Sequence, residues 1–86
     1  MRMNQDVEQT PKGFTTDDLH QAAYLWCHGL EPQLLPAAAN KVQFVFHDNR
    51  ASALVDEFVC GKARVEPLRF AAAIRELKRR ARDLVR

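Results

Sequence analysis

The sequence predicts a small α+β domain in the order helix, antiparallel β-hairpin, helix and long C-terminal helix. In residues 42–46, the bulky apolar side chains Val42, Phe44 and Phe46 occupy every second position, so that they fall on one face of a β-strand. On both sides of this strand, apolar residues recur every three or four positions, which is typical of amphipathic helices. Each helix needs an apolar surface to pack against, and the strand provides one.

The composition is that of an ordinary globular domain: the chain has 86 residues, of which 47% are hydrophobic and 28% charged. A chain of this length buries only about 60 to 65% of its unfolded surface, so we expect a thin core without a large enclosed active site. No apolar run approaches the roughly 18 to 20 residues of a membrane span, and no apolar signal segment is seen. We therefore expect a cytoplasmic protein with no membrane partner, no small-molecule substrate and no cofactor.

The chain divides into a tail and one domain, and its charge is uneven. Residues 1–13 are polar and are predicted to be a disordered tail, whereas residues 14–86 form a single compact α+β domain. Residues 62–86 hold nine of the thirteen basic side chains and three acids, a net charge of +6. Residues 1–61 hold four bases and eight acids, a net charge of −4. This asymmetry bears on partners rather than on the fold.

The first helix has recognisable start and stop signals. Thr15 is the predicted N-cap, which places Asp18 at the third helical position and pairs Phe14 with Leu19 as a hydrophobic staple. Gly29 is expected to end the helix in a left-handed conformation.

The hairpin is predicted from the strand at residues 42–46 and a partner at residues 33–38, with Asn40 in the turn. Pro36 has no N–H to donate to a strand ladder, so the partner must be an edge strand or a bulged one. A third short strand at residues 63–65 is an open alternative.

Two further helices complete the domain. Asp48 or Asn49 caps the second helix, Gly61 ends it, and Pro67 fits the first position of the third helix, just after Glu66. The second helix has the apolar stripe Ala51, Leu54, Val55, Phe58 and Val59. The third has the apolar stripe Phe70, Ile74, Leu77, Ala81 and Leu84, which we expect to face the strands.

Basic side chains lie opposite the apolar stripe of the third helix, repeating at i, i+4, i+7 and i+11 from Arg75. Glu76 can pair with Arg80, and Arg79 with Asp83, because each pair is four residues apart. Eleven residues of helix span roughly 16 Å, enough to meet three or four phosphates of a nucleic acid. The candidate phosphate contacts, including two from the preceding turn, are Lys62, Arg64, Arg75, Arg79, Arg82 and Arg86. The alternative is a solvated helix face that favours solubility.

Four groups of residues carry a family resemblance. They are Thr16-x-Asp18-Leu19 with Ala22-Ala23-Tyr24-Leu25 and Gly29-Leu30; Val42-x-Phe44-Val45-Phe46-x-Asp48; Phe58-x-x-Gly61-x-Ala63-Arg64-Val65; and Ala73-x-Arg75-x-Leu77-Lys78. Together they resemble a family of short prokaryotic and phage proteins, the domain of unknown function DUF5659.

The resemblance covers residues 14–80 and implies the order helix, hairpin, helix, helix, with no activity, cofactor or catalytic set to transfer. It implies that most motif residues are architectural, serving as helix caps, core positions and the turn at residues 61–65. The sequence departs from the family pattern at residues 35–39, where the resemblance implies a more regular strand and a glycine turn.

The cysteines and histidines do not form a recognisable reactive or metal-binding pattern. The candidate ligands are His20, Cys27, His28, His47 and Cys60. They lack the close pairs that zinc sites use, and the adjacent Cys27 and His28 point about 100° apart on a helix. Both thiols are expected to be reduced, at least half-buried, and near helix C-termini, where the dipole disfavours a thiolate. We therefore expect no metal site and no enzymatic activity.

Two functions follow from the third helix. The first is a non-enzymatic module that associates with the phosphate backbone of DNA or RNA through the basic residues. The alternative is a protein-interaction or homodimerisation adaptor, because the apolar residues of the third helix also repeat with the spacing of a coiled-coil seam. The last two turns are expected to extend past the short hairpin, so the partner interface would include Ala81, Leu84 and Val85.

Overall fold

The computed structural model describes residues 13–85, which form a three-stranded antiparallel sheet and three helices. In chain order the elements are β1 (Phe14–Thr16), α1 (Leu19–Cys27), β2 (Pro32–Pro36), β3 (Val42–Phe46), α2 (Ala51–Val59) and α3 (Pro67–Val85). The predicted α+β class with a long C-terminal helix is confirmed. Residues 1–12 of the predicted tail, and the candidate phosphate contact Arg86, lie outside the described residues.

The strand β3 lies at the centre of the sheet, between β1 and β2. Its residues Phe44 and Phe46 are 3% and 0% exposed and belong to the core beneath the helices. Gln43 and His47 are exposed on the opposite face. Because successive side chains of a strand alternate, the three described helices lie on the face of the sheet that carries Phe44 and Phe46.

The third strand of the sheet is β1, at the start of the described chain. Phe14 pairs with Phe46, and Thr16 pairs with Phe44, on the side of β3 away from β2. The alternative strand at residues 63–65 does not form, and that segment has no regular structure. A strand of three residues has too few alternating positions to be visible in the sequence, which is why the prediction missed it.

The N-cap of α1 is Asp18, so the prediction of Thr15 was wrong. The Oδ1 atom of Asp18 accepts hydrogen bonds from the N–H groups of His20 and Gln21, at 2.8 and 3.1 Å. The Thr16 hydroxyl accepts the N–H of Asp18 at 3.0 Å. Pairing with β3 holds Thr15 and Thr16 in extended conformation, and the helix therefore begins later than predicted.

The predicted helix ends are confirmed. Gly29 has φ +90° after α1, and the N–H of Leu30 donates to the carbonyl of Leu25 at 3.1 Å. This hydrogen bond closes a Schellman-type turn that places Leu30, 2% exposed, in the core. Gly61 follows α2 with φ +78°.

The starts of α2 and α3 differ in how their N–H groups are satisfied. The N-cap of α2 is Arg50, which makes no side-chain cap hydrogen bond, so the prediction of Asp48 or Asn49 was wrong; Asn49 and Arg50 form a turn that delays the start of the helix. The Asp48 carboxylate accepts the N–H of Arg50 at 2.8 Å, and the Asp48 carbonyl accepts the N–H of Ala51 at 3.2 Å. The carboxylate of Glu66 accepts the N–H groups of the second and third residues of α3, at 3.2 and 2.9 Å. Pro67 is the first residue of α3, as predicted, because its missing N–H needs no partner there.

The core joins the helices to the inner face of the sheet. Its buried members are Ala22, Ala23, Leu25, Leu30, Phe44, Phe46, Ala51, Val55 and Leu77. The helix α1 packs against both α2 and α3, and α3 also contacts β2 and β3. The apolar stripe of α3 therefore faces α1 as well as the strands. Val59, predicted to belong to the apolar stripe of α2, is 67% exposed.

The turn between β2 and β3 uses two left-handed residues. Ala39 and Asn40 have φ of 60° and 63°, and the N–H of Lys41 donates to the carbonyl of Ala38 at 3.2 Å. Positive φ at both central residues is the pattern of a type I′ turn, which normally takes glycine or asparagine. β2 ends at Pro36 and is an edge strand, as the proline predicted.

Replacing Ala39 by glycine should stabilise the domain. The left-handed conformation costs an L-residue about 1–2 kcal/mol, and relief of this strain exceeds the added entropy of glycine in the unfolded chain. We expect Ala39→Gly to raise the free energy of unfolding by up to about 1 kcal/mol in urea titrations. Ala38→Gly is the matched control, because Ala38 has ordinary φ, and it should lower the same quantity by about 0.5–1 kcal/mol. Equal effects of the two substitutions would contradict this explanation.

Candidate nucleic-acid interface

Three exposed cations share the outer side of α3. Arg75, Lys78 and Arg82 follow one another at spacings of three and four residues, which places them on one side of the helix. Their side chains make no ion pair or hydrogen bond with other residues between 13 and 85. Seven residues of helix separate the first from the last, about 10 Å. We name these three residues the cationic face.

Arg79 lies beside the cationic face but is held in ion pairs. Its Nε donates to Glu76 Oε1 at 3.1 Å, its Nη2 also donates to the Glu76 carboxylate, and its Nη1 donates to Asp83 Oδ2 at 3.2 Å. The predicted pairing of Arg79 with Asp83 is thus confirmed. A phosphate would have to compete with two carboxylates for this guanidinium, so Arg79 is a weaker candidate contact than the sequence predicted.

Arg80 connects α3 to α1. Its Nε donates to Glu76 Oε2 at 3.0 Å, which confirms the second predicted pair, and its guanidinium carbon lies 4.7 Å from the centre of the Trp26 ring. Glu31 is 3.9 Å from the Arg80 guanidinium. The cation–π contact was not predicted, because it depends on how the two helices pack.

The other predicted cations lie away from the cationic face. Lys62 and Arg64 are exposed in the connection before α3. Arg82 lies fifteen residues beyond Pro67, about 22 Å along the helix. Lys62 and Arg64 are therefore near the opposite end of α3 from Arg82.

The C-terminal end of α3 forms one wall of a groove of about 520 Å³. We name it the apolar groove, because five of the described residues give it an apolar surface: Leu19, Val42, Phe44, Ala81 and Val85. Lys41, Lys78 and Arg82 also line it. Of the three residues predicted to form a partner interface, Ala81 and Val85 belong to the groove and are half-buried. Leu84 does not line it and is 40% exposed.

The sequence prediction missed Lys78 and Lys41. Lys78 lies three residues after Arg75 and four before Arg82, so the helical spacing alone was sufficient to include it. Lys41 follows the turn and reaches the same region only because β3 runs beneath α3, which the sequence does not reveal.

The two cysteines are unbonded and differ in environment. Cys27 is half-buried, and burial raises the pKa of its thiol, which disfavours the thiolate. Cys60 is exposed, contrary to prediction. Within residues 13–85, no three His, Cys, Asp or Glu side chains come together as a metal site. No helix in that range is long and apolar enough to cross a membrane.

A family model for a domain of unknown function, DUF5659, matches residues 11–83. The chain belongs to the DUF5659 family. The match extends over nearly all of the described structure, and it agrees with the resemblance found in the sequence motifs. No curated protein and no solved structure is significantly similar to the chain.

The ion pairs of α3 should make stability depend on pH. Hydrogen bonds from Arg79, and then from Arg80, lower the pKa of the Glu76 carboxyl to about 2. In the unfolded chain a glutamate has a pKa of about 4.3, so folding favours the charged form. The stabilisation is therefore present above pH 4.3 and is lost as pH falls through 4.3 towards about 2.

We expect Glu76→Gln to reduce the slope of unfolding free energy against pH between about pH 5 and 2, measured by urea denaturation. The slope should not vanish, because hydrogen bonds from Arg50 lower the pKa of Asp48 to about 2 as well. Asp56→Asn is the control, since this exposed carboxylate makes no ion pair within residues 13–85. Superimposable profiles for Glu76→Gln and the unsubstituted protein would contradict the ion-pair assignment.

Proposed function

We propose that this DUF5659 domain is a non-enzymatic binding module that associates with the phosphate backbone of nucleic acid, in the cytoplasm of a prokaryotic or phage-infected cell. The cationic face of α3 carries the proposal. Arg75, Lys78 and Arg82 are exposed on one side of a rigid helix and have no carboxylate partner within residues 13–85. The phosphate groups of a nucleic acid supply the negative charges that these three side chains lack within residues 13–85, and binding releases the cations condensed on the nucleic acid.

Backbone contact is favoured over base stacking because the aromatic side chains are committed to packing. Phe44, Phe46 and Tyr24 are at most 3% exposed. Phe58 and Phe70 lie 6.4 Å apart in a ring cluster between α2 and α3. Stacking on single-stranded bases needs exposed rings, whereas phosphate contact needs only cations. The proposal is therefore for binding that depends little on base sequence.

Affinity for duplex DNA should fall steeply with salt. Three cations that neutralise three phosphates give a slope of log affinity against log salt of roughly −2.7. The double substitution Arg75→Ala with Arg82→Ala leaves only Lys78 of the cationic face and should bring this slope to roughly −0.9. Fluorescence anisotropy of a labelled duplex of about 20 base pairs, titrated at several salt concentrations, measures both slopes.

Arg50→Ala provides the control for this experiment. Arg50 is exposed but is paired with Asp48 at 2.9 Å, away from α3, so its loss should leave the slope of the unsubstituted protein unchanged. Affinity that does not respond to salt, or that survives the double substitution, excludes the proposed function.

A second candidate is a protein contact, including homodimerisation, at the C-terminal end of α3. It is favoured by Leu84, which lies on the apolar stripe of α3 and is nevertheless 40% exposed. In a homodimer, burial of the Leu84 side chain against the other copy would cover the exposed end of the apolar stripe of α3.

The homodimer version predicts association that depends on concentration. Sedimentation velocity across a hundredfold range should show a rising sedimentation coefficient, and Leu84→Glu should remove the rise by placing a charge in the contact. Leu35→Glu is the matched control, since Leu35 is similarly exposed, at 39%, but lies on β2. A monomer at every concentration excludes the homodimer.

A further inference from the structure

The apolar groove is open because a small side chain lies where α3 passes over the sheet. Phe70, Ile74 and Leu77 fill the earlier turns of the stripe with large side chains, and Ala81 continues the stripe with only a methyl group. The space left between Ala81 and β3 is part of the volume of about 520 Å³. This is within the range of about 300–1,000 Å³ that ligand sites occupy.

The edge of the groove is positively charged. Lys41 from the β2–β3 turn faces this space together with Lys78 and Arg82 of α3, and Asp17 is the one acid among the residues of 13–85 that line it. None of the three cations forms an ion pair with a residue between 13 and 85. An occupant that complements this site needs an apolar part for the floor and negative charges on its sides.

We propose that the apolar groove binds an acidic amphipathic peptide segment of a partner protein. Large apolar side chains of the peptide fill the space beside Ala81, Val85 and Phe44, and flanking carboxylates contact the cations. The arrangement is that of helix-in-groove recognition, in which anchors spaced by three or four residues enter an apolar cleft. The phosphate backbone of a nucleic acid satisfies only the charged edge, because it carries no large apolar side chain that could fill the floor.

The groove and the cationic face share Lys78 and Arg82. If the proposed nucleic-acid association holds, an acidic peptide in the groove competes for these two cations and weakens binding of the duplex. Peptide binding itself does not depend on that function. Arg75 belongs to the cationic face and does not line the groove, whereas Lys41 lines the groove and is not on α3. Substitutions at these two positions therefore separate the two proposals.

A phage-displayed library of random peptides of about 12 residues tests the inference. It is selected on the immobilised full chain and counter-selected on Ala81→Phe, which fills the groove with an uncharged ring at a half-buried position. We expect the enriched peptides to combine large apolar residues, three or four positions apart, with aspartate or glutamate on their flanks.

Enriched peptides are then synthesised and measured by fluorescence anisotropy. We expect binding to weaken about tenfold with Ala81→Phe, because the anchor loses its space, and about threefold with Lys41→Ala. Arg75→Ala should change it less than twofold. Lys41 is exposed, and its side chain forms no hydrogen bond or ion pair within residues 13–85, so we expect its substitution to leave folding intact and to keep the test valid even if Ala81→Phe unfolds.

Three outcomes overturn the proposal. One is a selection that enriches no peptide family above the counter-selection. Another is an enriched family without acidic residues, or one whose binding is unchanged by both Ala81→Phe and Lys41→Ala. The third is that Lys41→Ala abolishes binding of duplex DNA while no peptide binds to the protein. This result assigns the edge of the groove to nucleic acid. Loss of salt-dependent duplex binding with peptide binding retained removes only the function proposed above.

Discussion

Burial of Phe44 and Phe46 on one face of β3 is the constraint on which the rest of the structure depends. The strand is central, so its two neighbours are aligned by it, and its inner face is the surface on which the helices assemble. On the other face Gln43 and His47 are exposed, and none of the three described helices packs there. With a thin core, the domain relies on a few large side chains, among them Leu77 of α3, which is fully buried.

The parts of the fold with a repeating pattern were predictable, and the parts fixed by contacts distant in sequence were not. The alternation at residues 42–46 and the long apolar stripe of α3 identified the central strand and the C-terminal helix. By contrast, β1 has three residues, and only its pairing with β3 makes it a strand. Because that pairing keeps Thr15 in the strand, the N-cap of α1 is Asp18 and not the predicted Thr15. The turn kept the geometry of a glycine turn although Ala39 occupies one of the left-handed positions.

The candidate site was predictable to the same extent. Helical spacing predicted Arg75 and Arg82, and the i, i+4 rule predicted the ion pair of Arg79 with Asp83. Lys78 was missed although the same spacing includes it, and the ion pair of Arg79 with Glu76, three residues away, was not predicted. Helical spacing alone did not reveal which cations remain without an ion pair. It also did not reveal that Ala81 and Val85 lie over β3 beside Lys41. Those facts depend on the crossing of α3 over the sheet. The surface that distinguishes this domain is therefore a tertiary one, to which residues 17–19, 40–44 and 78–85 all contribute.

The prolines of β2 have a consequence for how the protein behaves at high concentration. The N–H of Ala37 points towards β3, so in the antiparallel ladder the outward N–H positions of the strand are 32, 34 and 36. Pro32 and Pro36 occupy two of them, and Leu34 alone offers an outward donor. A neighbouring chain cannot add a regular strand to such an edge, and on the other side of β3 the strand β1 has three residues within the described part of the chain. The prolines of β2 thus protect this edge of the sheet against growth into fibrils.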